Sequence, residues 1–372
     1  MEIRGGAGAE GEQSLGVSME LPFLTVALRP TQGKIRVTPE DFRVDELPAY
    51  EPSGEGEHLF VRFEKTNLAT HEAVGQIARA LDVSPRDASV AGLKDKRAVT
   101  TQWACFFHGD ADRARSLDLN GIRVLEAARH GNKLRTGHLR GNRFVIRVRE
   151  TDADVAHFET VLETLSREGA PNYYGEQRFG HGGGNLLDAR AWLLGTRPPP
   201  RDKRARKFLV SVVQSSIFNR VLAERVRTGK LGEYLDGDLL KKEDSGGLFT
   251  TEDAADAALR VRDWAVSPTG PMVGPKMRWP ERAALAAELA ALEAEGFTLA
   301  SLAAFGRDGE GPRRVLRVRP TEIHVSSPES GTVDLSFTLP SGAYATVILR
   351  ETLKRDGASH TPDEPIAEND DD

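Results

Sequence analysis

The order of apolar and polar residues divides the chain into segments with helical periodicity and segments with strand periodicity. Over residues 70–81, apolar side chains repeat at the i, i+3, i+4, i+7 spacing of an amphipathic helix, and Thr70 is suited to be its N-cap. A long helix is predicted over residues 208–227. Another is predicted over residues 280–295, where a proline opens the segment and Gly296 follows it.

Other segments predict strands, because they are short, apolar or alternating and are bounded by turn residues. The predicted strands lie at residues 88–92, 101–107 and 144–148, and at residues 331–349 on both sides of the turn Pro340-Ser341-Gly342. Residues 196–207 combine three consecutive prolines with six basic residues. The prolines predict extended backbone there, either as a solvated connector or as a loop that faces nucleic acid.

The strand-rich ends and the helix-rich middle, between about residues 155 and 310, predict an α+β fold in which one domain is inserted into another. The strands before and after the insertion would then share one sheet. The length of 372 residues agrees with this organisation, since about 100–200 residues per domain predicts about two domains.

The net charge of −6 comes from the two ends of the chain rather than from its body. Residues 356–372 contain seven acidic residues and no Lys or Arg, and residues 1–20 contain four acidic residues and one Arg. Residues 21–355 therefore carry a net charge of +4. Acidic tails are usually solvated, so we predict a flexible tail over residues 1–20, a disordered tail over residues 356–372 and a body able to bind an anionic partner.

Several classes of protein are excluded by what the sequence lacks. Cys105 is the only cysteine, which excludes a disulfide framework and a multi-cysteine zinc site. No apolar run approaches the roughly 20 residues needed to cross a bilayer. The first residues lack the basic and apolar regions of a signal peptide. We therefore expect a cytoplasmic protein without membrane contact.

One short motif in the sequence is typical of some hydrolases. His181-Gly182-Gly183-Gly184 matches the oxyanion segment of some lipases, but the chain contains no Gly-x-Ser-x-Gly nucleophile turn. A glycine-rich turn is the simpler interpretation, and the hydrolase is the weaker alternative.

One segment combines a short apolar strand with a dense cluster of charge. Asp95 follows this strand and lies among Lys94, Lys96 and Arg97. The cluster is either a solvated surface turn or a site in which the cations keep the carboxylate ionised and attract a polyanion. An ionised carboxylate held at the end of a strand can act as a nucleophile at neutral pH.

This segment resembles the catalytic motif of the TruD family of tRNA pseudouridine synthases, G-x-K-D-x-x-A-x-T-x-Q. The matching residues are Gly92, Lys94, Asp95, Ala98, Thr100 and Gln102. Five further segments resemble the family's other motifs in the family's order, and they lie at residues 39–44, 54–58, 139–144, 171–180 and 339–346. The resemblance covers about residues 31–352, which is nearly the whole predicted folded part.

The resemblance implies a discontinuous catalytic domain with a mixed sheet, formed by residues 21–168 and 319–355. It implies a mostly helical inserted domain, the TRUD domain, at residues 169–318, with tRNA in the cleft between the two domains. The family's reaction involves neither redox chemistry nor hydrolysis. No metal, nucleotide or organic cofactor is therefore expected, and no obligate protein partner is implied.

The resemblance also assigns roles to single residues. Asp95 matches the family's catalytic aspartate, a nucleophile that acts at ribose C1′ or on the uracil ring. Phe42, Asn142 and Tyr344 match positions that line the pocket for a flipped-out uridine. Tyr344 stands where the family often has Phe.

Further residues are candidates for contact with RNA outside that pocket. They are Arg36, Lys94, Lys96, Arg97, Arg143, Phe144 and Arg178. Arg36 stands where the family often has Lys, so it keeps the charge but changes the geometry. Arg143, Arg147 and Arg149 alternate along a predicted strand, either as a phosphate-binding row or as solubilising charges. Phe144 is alternatively a packing residue.

The resemblance implies an isomerase that converts uridine to pseudouridine in tRNA, at position 13 in the family. The alternative is an RNA-binding or RNA-chaperone protein with the same fold and no turnover. The carboxylate at Asp95 favours the enzyme, because a protein that only binds RNA has no need of it. The sequence leaves open the set of RNA substrates, the atom that Asp95 attacks and the oligomeric state.

Overall fold

The computed structural model of the chain describes residues 20–354. The tails predicted over residues 1–20 and 356–372 lie outside the described residues, apart from Glu20. The strands are β1 (Phe42–Pro48), β2 (His58–Thr66), β3 (Ser89–Val90), β4 (Val99–Phe107), β5 (Ile122–His130), β6 (Leu139–Arg149), β7 (Ala170–Pro171), β8 (Leu240–Lys242), β9 (Leu248–Phe249), β10 (Val266–Pro271), β11 (Arg313–Val315), β12 (Arg317–Val318), β13 (Thr321–Glu329) and β14 (Thr332–Pro340). The α-helices are α1 (Thr70–Ala80), α2 (Ala111–Arg115), α3 (Val155–Glu168), α4 (Gly184–Leu193), α5 (Lys203–Arg227), α6 (Ala254–Arg262), α7 (Arg282–Ala294) and α8 (Ala345–Leu353). Within residues 20–354, no helix is both long and apolar enough to cross a membrane.

Eight strands form one mixed sheet, in the order β13, β14, β6, β1, β4, β2, β5, with β3 also paired to β4. β1 runs parallel to β4, and the other neighbouring pairs are antiparallel. The strands come from both ends of the described chain, as the pattern of strand-rich ends predicts. The mixed sheet with its helices confirms the α+β fold class.

Alternation along the strands gives the sheet two different faces. One face carries Phe42, Val44 and Glu46 of β1, and its apolar residues pack on α1, α3 and α8. We call it the helix-covered face. The opposite face carries Arg43 and Asp45, which alternate with those residues along β1.

The chain leaves the sheet through β7 and returns through β12, and these two short strands pair with each other. Between them, α4, α5 and α7 contribute to a separate apolar core that includes Ile217 and Phe218. A four-stranded sheet in the order β11, β10, β8, β9 completes this part. The sequence does not predict this sheet, because its strands are two to six residues long and β10 contains two prolines.

Two helices begin at residues other than the predicted ones. The N-cap of α1 is Ala69, and Thr70 is the first residue of that helix. α5 begins at Lys203, so the predicted extended backbone is wrong for the last five residues of the segment 196–207. The carboxylate of Asp202 caps α5 by accepting a hydrogen bond from the amide three residues later, which starts the helix soon after the prolines.

The strand character predicted over residues 331–349 is correct only as far as Pro340, where β14 ends. The segment that follows the turn is α8, a helix despite its β-branched residues. Eight of its nine residues are buried, including Arg350 and Glu351, so its polar residues do not mark an exposed side of a helix. Packing on all sides overrides the local preference for a strand.

Candidate active site

The loop between β3 and β4 carries Asp95, whose carboxylate is held by Arg36. Nη2 of Arg36 donates a hydrogen bond to Oδ2 of Asp95 at 2.9 Å. The side chain of Asp95 is 40% exposed, whereas that of Arg36 is 8% exposed. Among the described residues, no group donates a hydrogen bond to Oδ1 of Asp95. The loop therefore presents one unbonded carboxylate oxygen beside a buried cation.

Arg36 is fixed from the other side by an aromatic ring. Its Cζ atom lies 4.0 Å from the centroid of the Phe42 ring, and its backbone adopts a left-handed φ of 56°. Phe42 is 1% exposed, so the guanidinium covers the ring. The Phe42 ring therefore becomes accessible only after Arg36 moves.

Hydrogen bonds from two other elements fix the backbone of the loop. Nζ of Lys65, a fully buried residue of β2, donates to the carbonyl oxygen of Asp95 at 2.6 Å. The amide of Lys94 donates to the hydroxyl oxygen of Thr70 at 2.9 Å. The same hydroxyl donates to Oε1 of Gln102 at 3.0 Å. The first turn of α1, the loop and β4 are thereby joined next to the carboxylate of Asp95.

Lys94 is not available to bind RNA, contrary to the prediction. Its Nζ lies 2.7 Å from Oε2 of Glu46, and the two side chains are 5% and 1% exposed. Oε1 of Glu46 accepts a hydrogen bond from the amide of Trp103 at 3.0 Å. A buried ammonium that is already paired with a carboxylate is not accessible to a phosphate. The Lys94 side chain instead connects the loop to Glu46 of β1.

The other two cations of the motif differ from Lys94 in being accessible. Lys96 is about half exposed, and its Nζ lies 3.9 Å from a carboxylate oxygen of Glu72. Arg97 is half-buried and has no ion pair among the described residues. Neither side chain forms an ion pair with Asp95 among the described residues. The cation beside that carboxylate is Arg36, from a position 59 residues earlier in the chain.

Asn142 lies on the helix-covered face, where the register of the sheet places it between two neighbours. It is opposite Glu46 of β1 and opposite Leu339 of β14. Its Oδ1 is buried and has no hydrogen-bond partner among residues 20–354. The amide therefore offers an unsatisfied acceptor beside the Glu46–Lys94 pair.

The two remaining aromatic candidates differ in accessibility. Phe144 is 6% exposed and packs between Phe42 and Phe337, with centroid distances of 6.3 and 5.5 Å. This position makes it a core residue, which was the alternative to RNA contact. Tyr344 is half-buried directly before α8, and the Cζ atom of Arg314 lies 5.8 Å from its ring centroid.

A cleft of about 1330 Å³ is lined by residues of the large sheet and by residues of the segment between β7 and β12. Arg143 and Arg178 line it, whereas Asp95 does not. Arg143 pairs with Asp45 in β1 and therefore lies on the opposite face from Glu46. Of the residues that hold Asp95 in place, neither Arg36 nor Lys65 lines the cleft.

The predicted row of three arginines shares one face of β6, but two of them are neutralised. Arg147 donates to both carboxylate oxygens of Asp334 at 2.7 Å. Arg149 donates to both carboxylate oxygens of Asp41 at 2.7–3.0 Å. Of these three arginines, Arg143 alone has no ion pair among the described residues. The predicted row therefore offers one cation without a counter-ion.

Sequence reasoning did not predict Glu46 or Lys65 as part of the site, and it named Thr70 only as an N-cap, although Glu46 and Lys65 each leave a signal. Glu46 continues the alternation of Phe42 and Val44, and Lys65 continues an apolar alternation along β2. A charged residue at a buried strand position needs a partner, so each was detectable as part of a polar site. The partners themselves come from distant segments and are not readable from spacing.

Comparison with known proteins identifies the family. A model of the family described as tRNA pseudouridine synthase D (TruD) matches residues 18–185 and 202–352. A protein of Anaeromyxobacter dehalogenans named tRNA pseudouridine synthase D is 47% identical over 343 residues, which cover 91% of this chain and 97% of that protein. One of Thermus thermophilus with the same name is 41% identical and covers 94% of this chain and 96% of its own length.

A solved structure supports the same assignment. It is a protein of Methanosarcina mazei, provisionally named tRNA pseudouridine synthase D, which is 25% identical to this chain. The two folds superpose with a TM-score of 0.72 over 93% of this chain and 98% of the other. The sequence, the mixed sheet and these relatives agree, and the chain belongs to the tRNA pseudouridine synthase D (TruD) family, a family of isomerases, as its motifs predict.

Proposed function

We propose that the protein isomerises a uridine of tRNA to pseudouridine and that this uridine is at position 13. Its relatives carry the name tRNA pseudouridine synthase D, which supports the substrate class. The observation that carries the proposal is the carboxylate of Asp95. It is partly exposed, it is oriented by a buried arginine, and one of its oxygens has no partner among the described residues.

The proposed chemistry uses that carboxylate as a nucleophile. Attack on ribose C1′ would form an ester and release uracil, which then turns and bonds through C5, so that the ester breaks and the C5 hydrogen leaves as a proton. Attack on the uracil ring would lead to the same product. Both routes end with a C5–C1′ bond in place of the N1–C1′ bond, with one proton lost from C5 and one gained at N1.

The pocket for the flipped-out base is proposed to be lined by Asn142, Tyr344 and Phe42. The buried Oδ1 of Asn142 lacks a partner among the described residues, and an N–H group on the uracil edge would satisfy it. Tyr344 is half-buried and offers a ring for stacking. Phe42 would contact the base once Arg36 has moved.

The RNA backbone is proposed to contact the accessible cations Lys96, Arg97, Arg143 and Arg178. Residues 21–168 and 319–355 would act as the catalytic domain, and residues 169–318 would act as an inserted domain on the other side of the cleft. We place the protein in the cytoplasm, where it meets its tRNA substrate.

The proposal is tested by tritium release from unmodified tRNA that contains 5-tritiated uridine. Formation of the new bond at C5 expels that hydrogen, so release reports the isomerisation itself. We expect release by the wild type and none by Asp95→Asn, with tRNA affinity changed less than about threefold, because the carboxylate acts in the reaction and the RNA is held by other groups.

Asp87→Asn is the matched control, because Asp87 is exposed and has no ion pair among the described residues. It should release tritium at the wild-type rate. Substantial release by Asp95→Asn would remove that residue from the nucleophile role. Salt-sensitive tRNA binding without release by the wild type would favour the RNA-binding protein over the enzyme.

A further inference from the structure

Two arginines of the inserted segment lie against one tyrosine ring at the cleft. The Cζ atom of Arg314 lies 4.4 Å from the centroid of the Tyr174 ring, and that of Arg178 lies 5.4 Å from the same centroid. Both arginines line the cleft, as does Tyr174. Two positive charges are therefore held close together by one aromatic side chain.

Neither arginine has an acidic partner among the described residues. Arg178 makes no side-chain hydrogen bond there, and its Nε is buried without a partner. Arg314 bonds through Nη2 to Oδ1 of Asn172 at 2.5 Å, and its Nε is also buried without a partner. Most of the N–H groups of this pair are therefore unused.

The arginine next to Arg314 in the chain lines the same cleft but is neutralised by a carboxylate, unlike the pair. Arg313, the neighbour of Arg314 in β11, donates to both carboxylate oxygens of Glu288 at 2.8 and 2.6 Å. Like charges that are close together and lack a counter-ion favour an anion from outside the protein.

We propose that Arg178 and Arg314 together bind a single phosphodiester of the RNA backbone. Guanidinium groups match phosphate oxygens in a two-pronged geometry, and a phosphate between the two would supply the missing negative charge. Arg314 also lies 5.8 Å from the ring of Tyr344, so the bound phosphate would be positioned next to the proposed base pocket. The proposal rests on the proposed function, since it takes RNA as the ligand.

The test measures how the affinity for unmodified tRNA transcripts depends on salt, for Arg178→Gln, Arg314→Gln and the double variant. Each neutralised phosphate contributes about 0.7–0.9 to the slope of log K against log salt concentration. We expect each single variant to lower the slope by about that amount. The double variant should lower it by no more than a single variant does, because both arginines hold one phosphate.

Arg314→Lys separates this role from a structural one. It keeps the charge but not the planar group, so the salt slope should stay near the wild-type value even if thermal stability falls. Arg86→Gln is the control for loss of an arginine, because Arg86 is exposed, lies outside the cleft lining and has no ion pair among the described residues. It should leave the slope unchanged.

Wild-type slopes in both single variants, or a double variant that loses twice the slope of a single one, would overturn the shared phosphate site. The tritium-release assay on the wild type tests the proposed function independently of the salt slopes. Unchanged slopes with release would refute only the phosphate site. Lowered slopes without release by the wild type would leave the site standing and refute the proposed isomerisation.

Discussion

A second, buried ion pair lies directly before Asp95 in the loop. Lys94 precedes Asp95 in the loop, and its ammonium is paired with Glu46 at 2.7 Å. Removing one partner of a buried pair leaves an uncompensated charge, whereas removing both leaves none. The pair therefore ties the residue before Asp95 to β1.

Glu46→Gln is expected to destabilise the fold by about 3–5 kcal/mol, because it leaves the ammonium of Lys94 buried and unpaired. The double variant Glu46→Gln with Lys94→Met should be more stable than Glu46→Gln alone, since no unpaired charge is left. Urea unfolding of the wild type, both single variants and the double variant measures this difference. A double variant that loses the sum of the two single losses would show that the two residues do not interact.

At the scale of single elements, the sequence predicts those whose two sides differ in polarity. α1 and β6 each have one apolar side and one polar side, so their periodicities are visible. α8 is buried on nearly all sides and β10 is buried throughout, so neither has an exposed polar face. Tertiary packing determines the secondary structure of such segments, and the local sequence pattern carries no information about that packing.

The same limit applies to the candidate site. The loop with Asp95 is recognisable, because its motif is continuous in sequence. The ion pair between Arg36 and Asp95 is not, because it depends on a left-handed residue and on the ring of Phe42 beneath it. The misassignment of Lys94 has the same origin, since its partner Glu46 lies on another strand.

The short helical turn before β1 predicts a pH dependence of stability. It ends at Asp41, a buried residue that is paired with Arg149 of β6. Burial raises the pKa of Asp41, but hydrogen bonds from Arg149 and from the amide of Thr38 outweigh it and hold the pKa below its ordinary value of 3.8. The pKa of Asp41 is therefore lower in the folded protein than in the unfolded chain. The ionised carboxylate stabilises the fold at every pH above its pKa in the unfolded chain, and this stabilisation is lost as the pH falls toward the folded pKa.

Asp41→Asn is expected to cost about 1–3 kcal/mol at pH 7, because it replaces a charge-assisted pair with Arg149 by a neutral contact. The difference from the wild type should stay constant down to about pH 5 and shrink as the pH falls below 3.8 toward the folded pKa. Urea midpoints of both proteins at pH 7, 5 and 3 measure it. A difference that grows on acidification would contradict the assigned pKa direction.

At the scale of the whole molecule, the large sheet and the inserted segment are joined where β7 pairs with β12. Arg317 of β12 lies 3.8 Å from the ring centroid of Trp264 and donates to the carbonyl oxygens of Glu168 and Val261. Burial lowers the pKa of Arg317 to about 10, which leaves it charged at neutral pH. These contacts join the end of α3, β12 and α6.

Gly169 links α3 to β7 at this junction, and the structure predicts that no other residue fits there. Its φ is 95°, and a Cβ atom would lie 2.7 Å from Cδ of Arg317 and 2.9 Å from Cη2 of Trp264. Gly169→Ala should lower stability by at least about 1–3 kcal/mol through backbone strain alone, and the displacement of Arg317 adds to that loss.

Gly131→Ala is the matched control, because a Cβ atom at that position would have no neighbour within 4 Å among the described residues, and the φ of Gly131 is not positive. That variant should change stability by less than about 0.5 kcal/mol in urea unfolding. Equal stabilities for the two variants would contradict this prediction. They would mean that the backbone at residue 169 and the side chain of Arg317 can shift without loss of stability.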